Sequence, residues 1–225
     1  MLPLFPVAWV FEKLTAQRDP VRARLRAFVS TWVSAYARLT PLYRFHIEGR
    51  SHLPATGSYV LIANHESGLD VLSMLTLRTP ARFLAESWMF EVPLAGALFR
   101  RCRHIPVKVG DRDSGRAALE EVARALAEGS PVAIFPEGRL SPDGIAAFRP
   151  GAFVAAKRAC VPIVPVLLEG AGQAWRPGTM VVEGRHEIRI AVLEPIAAAQ
   201  VAEASAQALS ELARERILGA RRSGA

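Results

Sequence analysis

The sequence is poor in cysteine, has no apolar run long enough to cross a bilayer, and shows no repeats or low-complexity tracts. Its two cysteines, Cys102 and Cys160, have neither a disulfide framework nor a metal-ligand spacing, so they read as small buried residues of a reducing compartment, and no metal is expected. Met1 to Phe11 is almost wholly apolar but too short to span. With no basic region before it and no small-residue cleavage pattern after it, it is not expected to be a signal peptide. A Gly-x-Ser-x-Gly elbow for a nucleophilic serine is absent. Acidic residues are outnumbered, 21 against 28 Lys and Arg, giving a net charge of +7 and a pI near 10.2. That balance points to an anionic partner. Without a nucleic-acid recognition motif or an aromatic stacking platform, nucleic acid is not the expected one.

What is present is a folding sequence: 225 residues, 51% hydrophobic and 22% charged, enough for one domain with a substantial core. Lys13, Arg18, Arg22, Arg24 and Arg26 follow the apolar start, opposed only by Glu12 and Asp19. Val21, Leu25, Phe28, Val29, Trp32, Tyr36 and Leu39 then recur at helical spacing up to Pro41. A basic, aromatic-bearing amphipathic helix of this kind either lies in a membrane interface or packs its stripe on the rest of the domain. The expected division is 1–41 as a helical, membrane-interfacial segment attracted to anionic lipids and 42–225 as an α/β domain.

Within that domain, strands are predicted at 43–48, 59–63, 82–85, 105–108, 132–135, 163–167 and 186–193. Helices are predicted over about 69–77 and 93–99, from Asp113 or Ser114 to before Gly129, and over 152–159 and 200–218. Strands alternating with helices predict an α/β fold, a mostly parallel central sheet covered by helices on both faces. Right-handed crossovers gather the corners after the strands at one sheet edge.

Two of those corners carry chemistry. The strand Tyr59-Val60-Leu61-Ile62-Ala63 runs into Asn64-His65, and Asp70 stands five positions after His65. Ser67 with Asp70 three residues on reads as an N-cap and N3 pair. On one helix, residues five apart point about 140° away from each other. His65 therefore meets Asp70 only from before the helix, where the carboxylate can fix one tautomer and leave the other nitrogen as a base. The second corner is Phe135-Pro136-Glu137-Gly138-Arg139-Leu140-Ser141, where proline stops the ladder, glycine allows a sharp turn, and Arg139 offers donors to a phosphate or carboxylate. Lys108 and Arg149 add a basic rim. Taken singly, each feature also has a plain structural reading: a capped turn, a surface ion pair, a solvated charge.

Together these residues resemble the glycerolipid acyltransferases, specifically the lysophosphatidic acid (1-acylglycerol-3-phosphate) acyltransferases. The resemblance begins with Asn64-His65-(four residues)-Asp70 and Phe135-Pro136-Glu137-Gly138. It extends through Pro93-Leu94-Ala95-Gly96, Ile105-Pro106-Val107-Lys108, Asp143-Gly144, Phe148-Arg149-Pro150-Gly151-Ala152-Phe153 and Val161-Pro162-Ile163-Val164-Pro165-Val166, covering about positions 43 to 196 in the family's order. It implies transfer of a fatty acyl group from a thioester, on coenzyme A or acyl-carrier protein as co-substrate, to the free hydroxyl of a lysophospholipid at the cytoplasmic face of a membrane. No cofactor and no covalent acyl-enzyme are implied. His65 matches the base and Asp70 its orienting partner; Asn64, Lys108, Glu137, Gly138, Arg139 and Arg149 are the implied substrate-binding residues. One departure stands out. Where the family usually reads Phe-Pro-Glu-Gly-Thr-Arg-Ser, Arg139 occupies the threonine position and Leu140 the arginine position. The acceptor is accordingly 1-acylglycerol-3-phosphate or another lyso-lipid, such as lysophosphatidylethanolamine or a lyso-ornithine lipid. A thioesterase and a non-enzymatic basic membrane-binding module are the rival readings.

Overall fold

The computed structural model describes residues 4–19, 21–141, 144–175 and 185–223. Asp143 and the first three residues of the apolar leader lie outside them. The chain begins with helices α1 (Leu4–Thr15) and α2 (Ala23–Leu39), followed by strands β1 (Tyr43–Glu48) and β2 (Val60–Ala63). Next come α3 (Leu69–Leu75), β3 (Arg82–Glu86), α4 (Ala95–Arg101), β4 (Ile105–Val107) and α5 (Arg112–Ala127). β5 (Val132–Ile134), α6 (Gly151–Ala159), β6 (Ile163–Glu169) and the short α7 (Ala171–Ala174) follow, and β7 (His186–Val192), α8 (Ala198–Glu203) and α9 (Ala206–Arg222) complete the order.

The strands form a seven-stranded sheet in the order β1-β7-β6-β2-β5-β3-β4. β6, β2, β5, β3 and β4 run parallel. β7 is antiparallel to β6 and β1 parallel to β7, so these two run the other way. The fold is thus mixed α/β with a mostly parallel sheet, as the alternation predicts.

β2 shows why its sequence is continuous hydrocarbon. Val60 and Ile62 face one core with Val122 and Leu126 of α5, Phe153 of α6 and Leu209 of α9. Leu61 and Ala63 face the other core with Met74 of α3 and Ala171 of α7. A strand buried on both faces has no solvent side on which to place polar residues, and each fully buried aliphatic chain such as Leu61 or Ile62 stabilises the fold by roughly 1.5–3 kcal/mol.

Among the helix boundaries that differ from expectation, two have a capping side chain as the local reason. α5 starts earlier, because the Asp111 carboxylate caps it by accepting from Asp113 N and Ser114 N, both at 3.0 Å. The final helix is two: the chain leaves helical geometry at Ala204, and Ser205 Oγ accepts from Ala208 N at 3.1 Å to start α9. The cysteines also part ways. Cys102 is buried as its small apolar side chain suggests, whereas Cys160 is exposed, because it ends α6 as a left-handed cap at the surface.

α1 and α2 pack against each other and onto the domain, burying Leu4, Ala8, Leu25, Val29 and Val33 beside Leu72, Leu75 and Leu98. Arg26 departs furthest from a basic outer face: it is 2% exposed. Its guanidinium donates to the carbonyls of Pro80 (2.6 Å), Val21 (2.7 Å) and Cys102 (3.2 Å) and to Ser130 Oγ (3.1 Å). Pro80 and Ser130 lie just before β3 and β5, so α2 is bolted beneath the N-terminal strand ends. Burial, helped by neighbouring Arg82, pulls Arg26 down to about 10. Outward on α1 stand the apolar Val7, Trp9, Val10 and Leu14, with Tyr36 and Leu39 on α2, and the basic Lys13 beside them. Among the described residues, no helix is long and apolar enough to cross a membrane.

Candidate active site

β2 and β5 are adjacent, pairing Val60 with Val132, Leu61 with Ala133 and Ile62 with Ile134. Their C-terminal corners therefore stand side by side. At the first, Asn64 continues the ladder with its side chain: Nδ2 donates to Leu168 O and Oδ1 accepts from Leu168 N, both at 2.8 Å. The amide takes over the strand's hydrogen bonds while the backbone turns away, and it is fully buried.

Asp70, in the first turn of α3 and also fully buried, folds back onto that turn. Its Oδ2 accepts from Glu66 N at 2.7 Å, Ser67 N at 2.8 Å and His65 Nδ1 at 2.8 Å. The bond from Ser67 N is the reach-back half of a capping box. The other half is displaced: Gly68 occupies the cap position without a side-chain bond, while Ser67 Oγ accepts from Leu69 N at 3.3 Å and donates to Trp175 O at 2.7 Å. Since Oδ2 is the acceptor, Nδ1 carries the proton and Nε2 holds the lone pair. Among the described residues Nε2 makes no hydrogen bond. The imidazole, 18% exposed, stacks on Phe135 with centroids 4.1 Å apart and planes at 14°.

The second corner grips the first. Glu137, 3% exposed, accepts from His65 N through Oε1 at 2.8 Å and from Ala146 N through Oε2 at 2.9 Å. Ser141 N donates to His65 O at 2.7 Å. Both backbone groups of His65 are thus held by the loop after β5, and the Glu137 and Asn64 side chains tie backbone to backbone. Gly138 sits at φ +65°, and a Cβ there would come within 2.9 Å of Arg149 Nε and Cζ. The glycine serves both the turn and the arginine lying across it.

Lys108, Gly138 and Arg149 line a cavity of about 650 Å³ between α5 and α6, with apolar walls that include Leu84, Val107, Leu119 and Ile134. Phe135 belongs to this lining and also stacks on His65. Arg139 is exposed on the same turn and lines none of the cavity. Phe135 and Ser141 are contributors to which sequence reasoning gave no role; only their places in the second motif could have marked them.

Glu66, between base and orienting partner, is also buried. Arg221 Nη2 of α9 stands 3.2 Å from its Oε1, and the Gly172 N–H faces the carboxylate. Burial pushes Glu66 up to about 7 against the pull of Arg221. No group of three or more His, Cys, Asp or Glu among the described residues is arranged to hold a metal.

An imidazole with one nitrogen locked on a buried carboxylate and the other free, at a parallel sheet's C-terminal edge, is the arrangement of a general base. The acyltransferase family model matches residues 44–169, more than half the chain and both corners, and the chain belongs to that family. It is 36% identical over 180 residues to a 1-acyl-sn-glycerol-3-phosphate acyltransferase of Chlamydomonas reinhardtii, covering 79% of this chain and 54% of that protein. It is 30% identical to a chloroplastic 1-acyl-sn-glycerol-3-phosphate acyltransferase of Arabidopsis thaliana, covering 79% and 50%. The chain thus spans about half the length of these curated relatives. Its fold matches the crystal structure of the 1-acyl-sn-glycerophosphate (LPA) acyltransferase PlsC from Thermotoga maritima, with a TM-score of 0.77 and 20% identity over all of this chain and 96% of that one.

Proposed function

We propose that the protein transfers a fatty acyl group from an acyl thioester, on coenzyme A or acyl-carrier protein, to the free hydroxyl of 1-acylglycerol-3-phosphate, giving phosphatidic acid. The carrying observation is the 2.8 Å bond from His65 Nδ1 to Asp70 Oδ2. In this reading Nε2 takes the hydroxyl proton as the oxygen attacks the thioester carbonyl. The tetrahedral intermediate collapses to the ester and expels the thiolate, which takes the proton back from the imidazolium. Asp70 keeps the ring in the tautomer this needs. Base action of this kind contributes about 10²–10⁴-fold; alignment of hydroxyl and thioester supplies more.

Lys108 and Arg149 around an apolar cavity suit an acyl chain ending in an anionic group, and Arg139 is free to meet a phosphate from outside. The apolar outer face of α1, with Lys13 Nζ 5.7 Å from the Trp9 ring, suits an interface of anionic lipid at the cytoplasmic side of a membrane. Because Leu140 occupies the position of the family's arginine, other lyso-lipid acceptors form the second reading.

The test offers purified protein an acyl thioester with a panel of lyso-lipids and follows free thiol. Thiol release that requires an acceptor, is fastest with 1-acylglycerol-3-phosphate and falls about 10²–10⁴-fold in His65→Ala supports the proposal. Release at full rate without acceptor makes the protein a thioesterase, and preference for another head group selects the second reading.

A further inference from the structure

Glu66 has one foot in the catalytic turn and one outside it. Its backbone N–H donates to Asp70 Oδ2 at 2.7 Å. Its side chain turns away, into a seat between α7 and the last turn of α9. Arg221 also approaches Glu169 Oε1 at 3.7 Å. Glu169 in turn pairs with Arg189 at 2.9 Å, and Arg189 holds Glu48 at 3.0 Å and the Ala220 carbonyl at 3.3 Å. The end of the C-terminal helix is therefore pinned to the sheet edge and closes on Glu66. Acid–base chemistry at His65 requires none of this.

We propose that Glu66 and Arg221 form a latch through which the C-terminal helix positions the catalytic imidazole, Glu66 being a positioning residue for acyl transfer. The kinetic part rests on the acyl-transfer reading above. A pull on the Glu66 side chain that is carried to its backbone moves its N–H, one of three that fix Asp70 Oδ2, and Asp70 fixes the ring. The charges facing Glu66 are Arg221 from α9, which attracts it, and Asp70 from α3 and Glu169 from β6, which repel it; α7 contributes the Gly172 N–H. The ionised carboxylate is the form that latches. Since burial already holds this carboxyl near 7, it takes a proton as pH falls through neutrality and the attraction to Arg221 is lost. Removing Arg221 raises that midpoint further.

The experiment measures kcat and KM against pH, with an acyl thioester and 1-acylglycerol-3-phosphate, for wild type, Glu66→Gln, Arg221→Gln, Arg221→Lys and the Gln/Gln double variant. The His65 ring is titrated by NMR in parallel. Arg221, at 37% side-chain exposure, is mild to replace. Arg221→Gln should lower kcat roughly 3- to 30-fold, with little change in KM, and move the acid limb of the rate profile to higher pH. Glu66→Gln should lower kcat at every pH and retain only the limb of the imidazole itself, the double variant being no slower, while Arg221→Lys restores most of the rate. The wild-type ring should sense a second titration step that Glu66→Gln abolishes. Additive losses, a change confined to KM, or an unchanged pH profile in Arg221→Gln would overturn the latch. If the NMR step is present in a wild type that transfers no acyl group, the functional reading fails and the latch stands; transfer without the step sinks the latch alone.

Discussion

The corners after β2 and β5 are neighbours in the sheet and opposites in construction. The β2 corner is dry: Asn64, Glu66, Ser67 and Asp70 are all buried, and Asp70 Oδ2 is committed to three donors. The β5 corner has the same kind of buried anchor in Glu137 but carries Arg139 and Arg149 out into solvent. Proton abstraction needs a nitrogen held to within a fraction of an ångström. An anionic group can instead be met by long side chains that adjust to it. In the proposed reaction, rigidity lies where a bond is made, and freedom where a charge is recognised.

This contrast can be broken from its rigid side first. Asp70→Asn presents an amide where three donors converge, disturbing the ring's tautomer. Thiol release in the acyl-transfer assay should fall about 10²–10⁴-fold, and urea unfolding should show a loss of about 1–3 kcal/mol. Near-normal rates would mean that the base does not depend on its tether. Glu137→Gln keeps shape but sets an N–H against one of two backbone donors; thermal unfolding should again reveal about 1–3 kcal/mol lost, with a rate decrease of about tenfold from the loosened His65 backbone. The smallest change in stability belongs to the solvated side. Arg139→Ala and Arg149→Ala should leave stability within about 0.5 kcal/mol and kcat nearly unchanged. Each should raise KM for a phosphate-bearing acceptor about tenfold, the scale of one charge-assisted hydrogen bond. A fall in kcat with KM intact would place these arginines on the rigid side of the comparison.

Much of this was legible in the sequence because buried parallel strands are written as hydrocarbon and then stop. Tyr59 to Ala63 gives way to Asn64-His65 and Val132 to Phe135 gives way to Pro136-Glu137, which break the hydrocarbon run, and adjacency of their strands brings His65 to the Glu137 loop. The His65–Asp70 pairing could be argued from spacing alone. The reversal of β1 and β7 could not, since alternation within a strand is the same in either direction. Arg26 differs for a related reason: an arginine beside an amphipathic stripe reads as a solvated charge unless the carbonyls awaiting it are known, and two of those come from residues 54 and 76 positions away. Glu66 and Arg221 read as a loop carboxylate and a basic tail, because only the closure of α9 onto the sheet brings them together.

The buried guanidinium of Arg26 also sets how this protein can be re-engineered. Cutting the chain ahead of β1 to obtain a smaller catalyst would strip the Pro80 and Cys102 carbonyls of the Arg26 donor and leave Ser130 Oγ with Arg82 alone, opening a hole under the strands. The helical hairpin is a foundation before it is anything else. Testing the proposed contact with lipid is a task for outward changes such as Val10→Ser or Leu14→Lys, which leave the masonry in place.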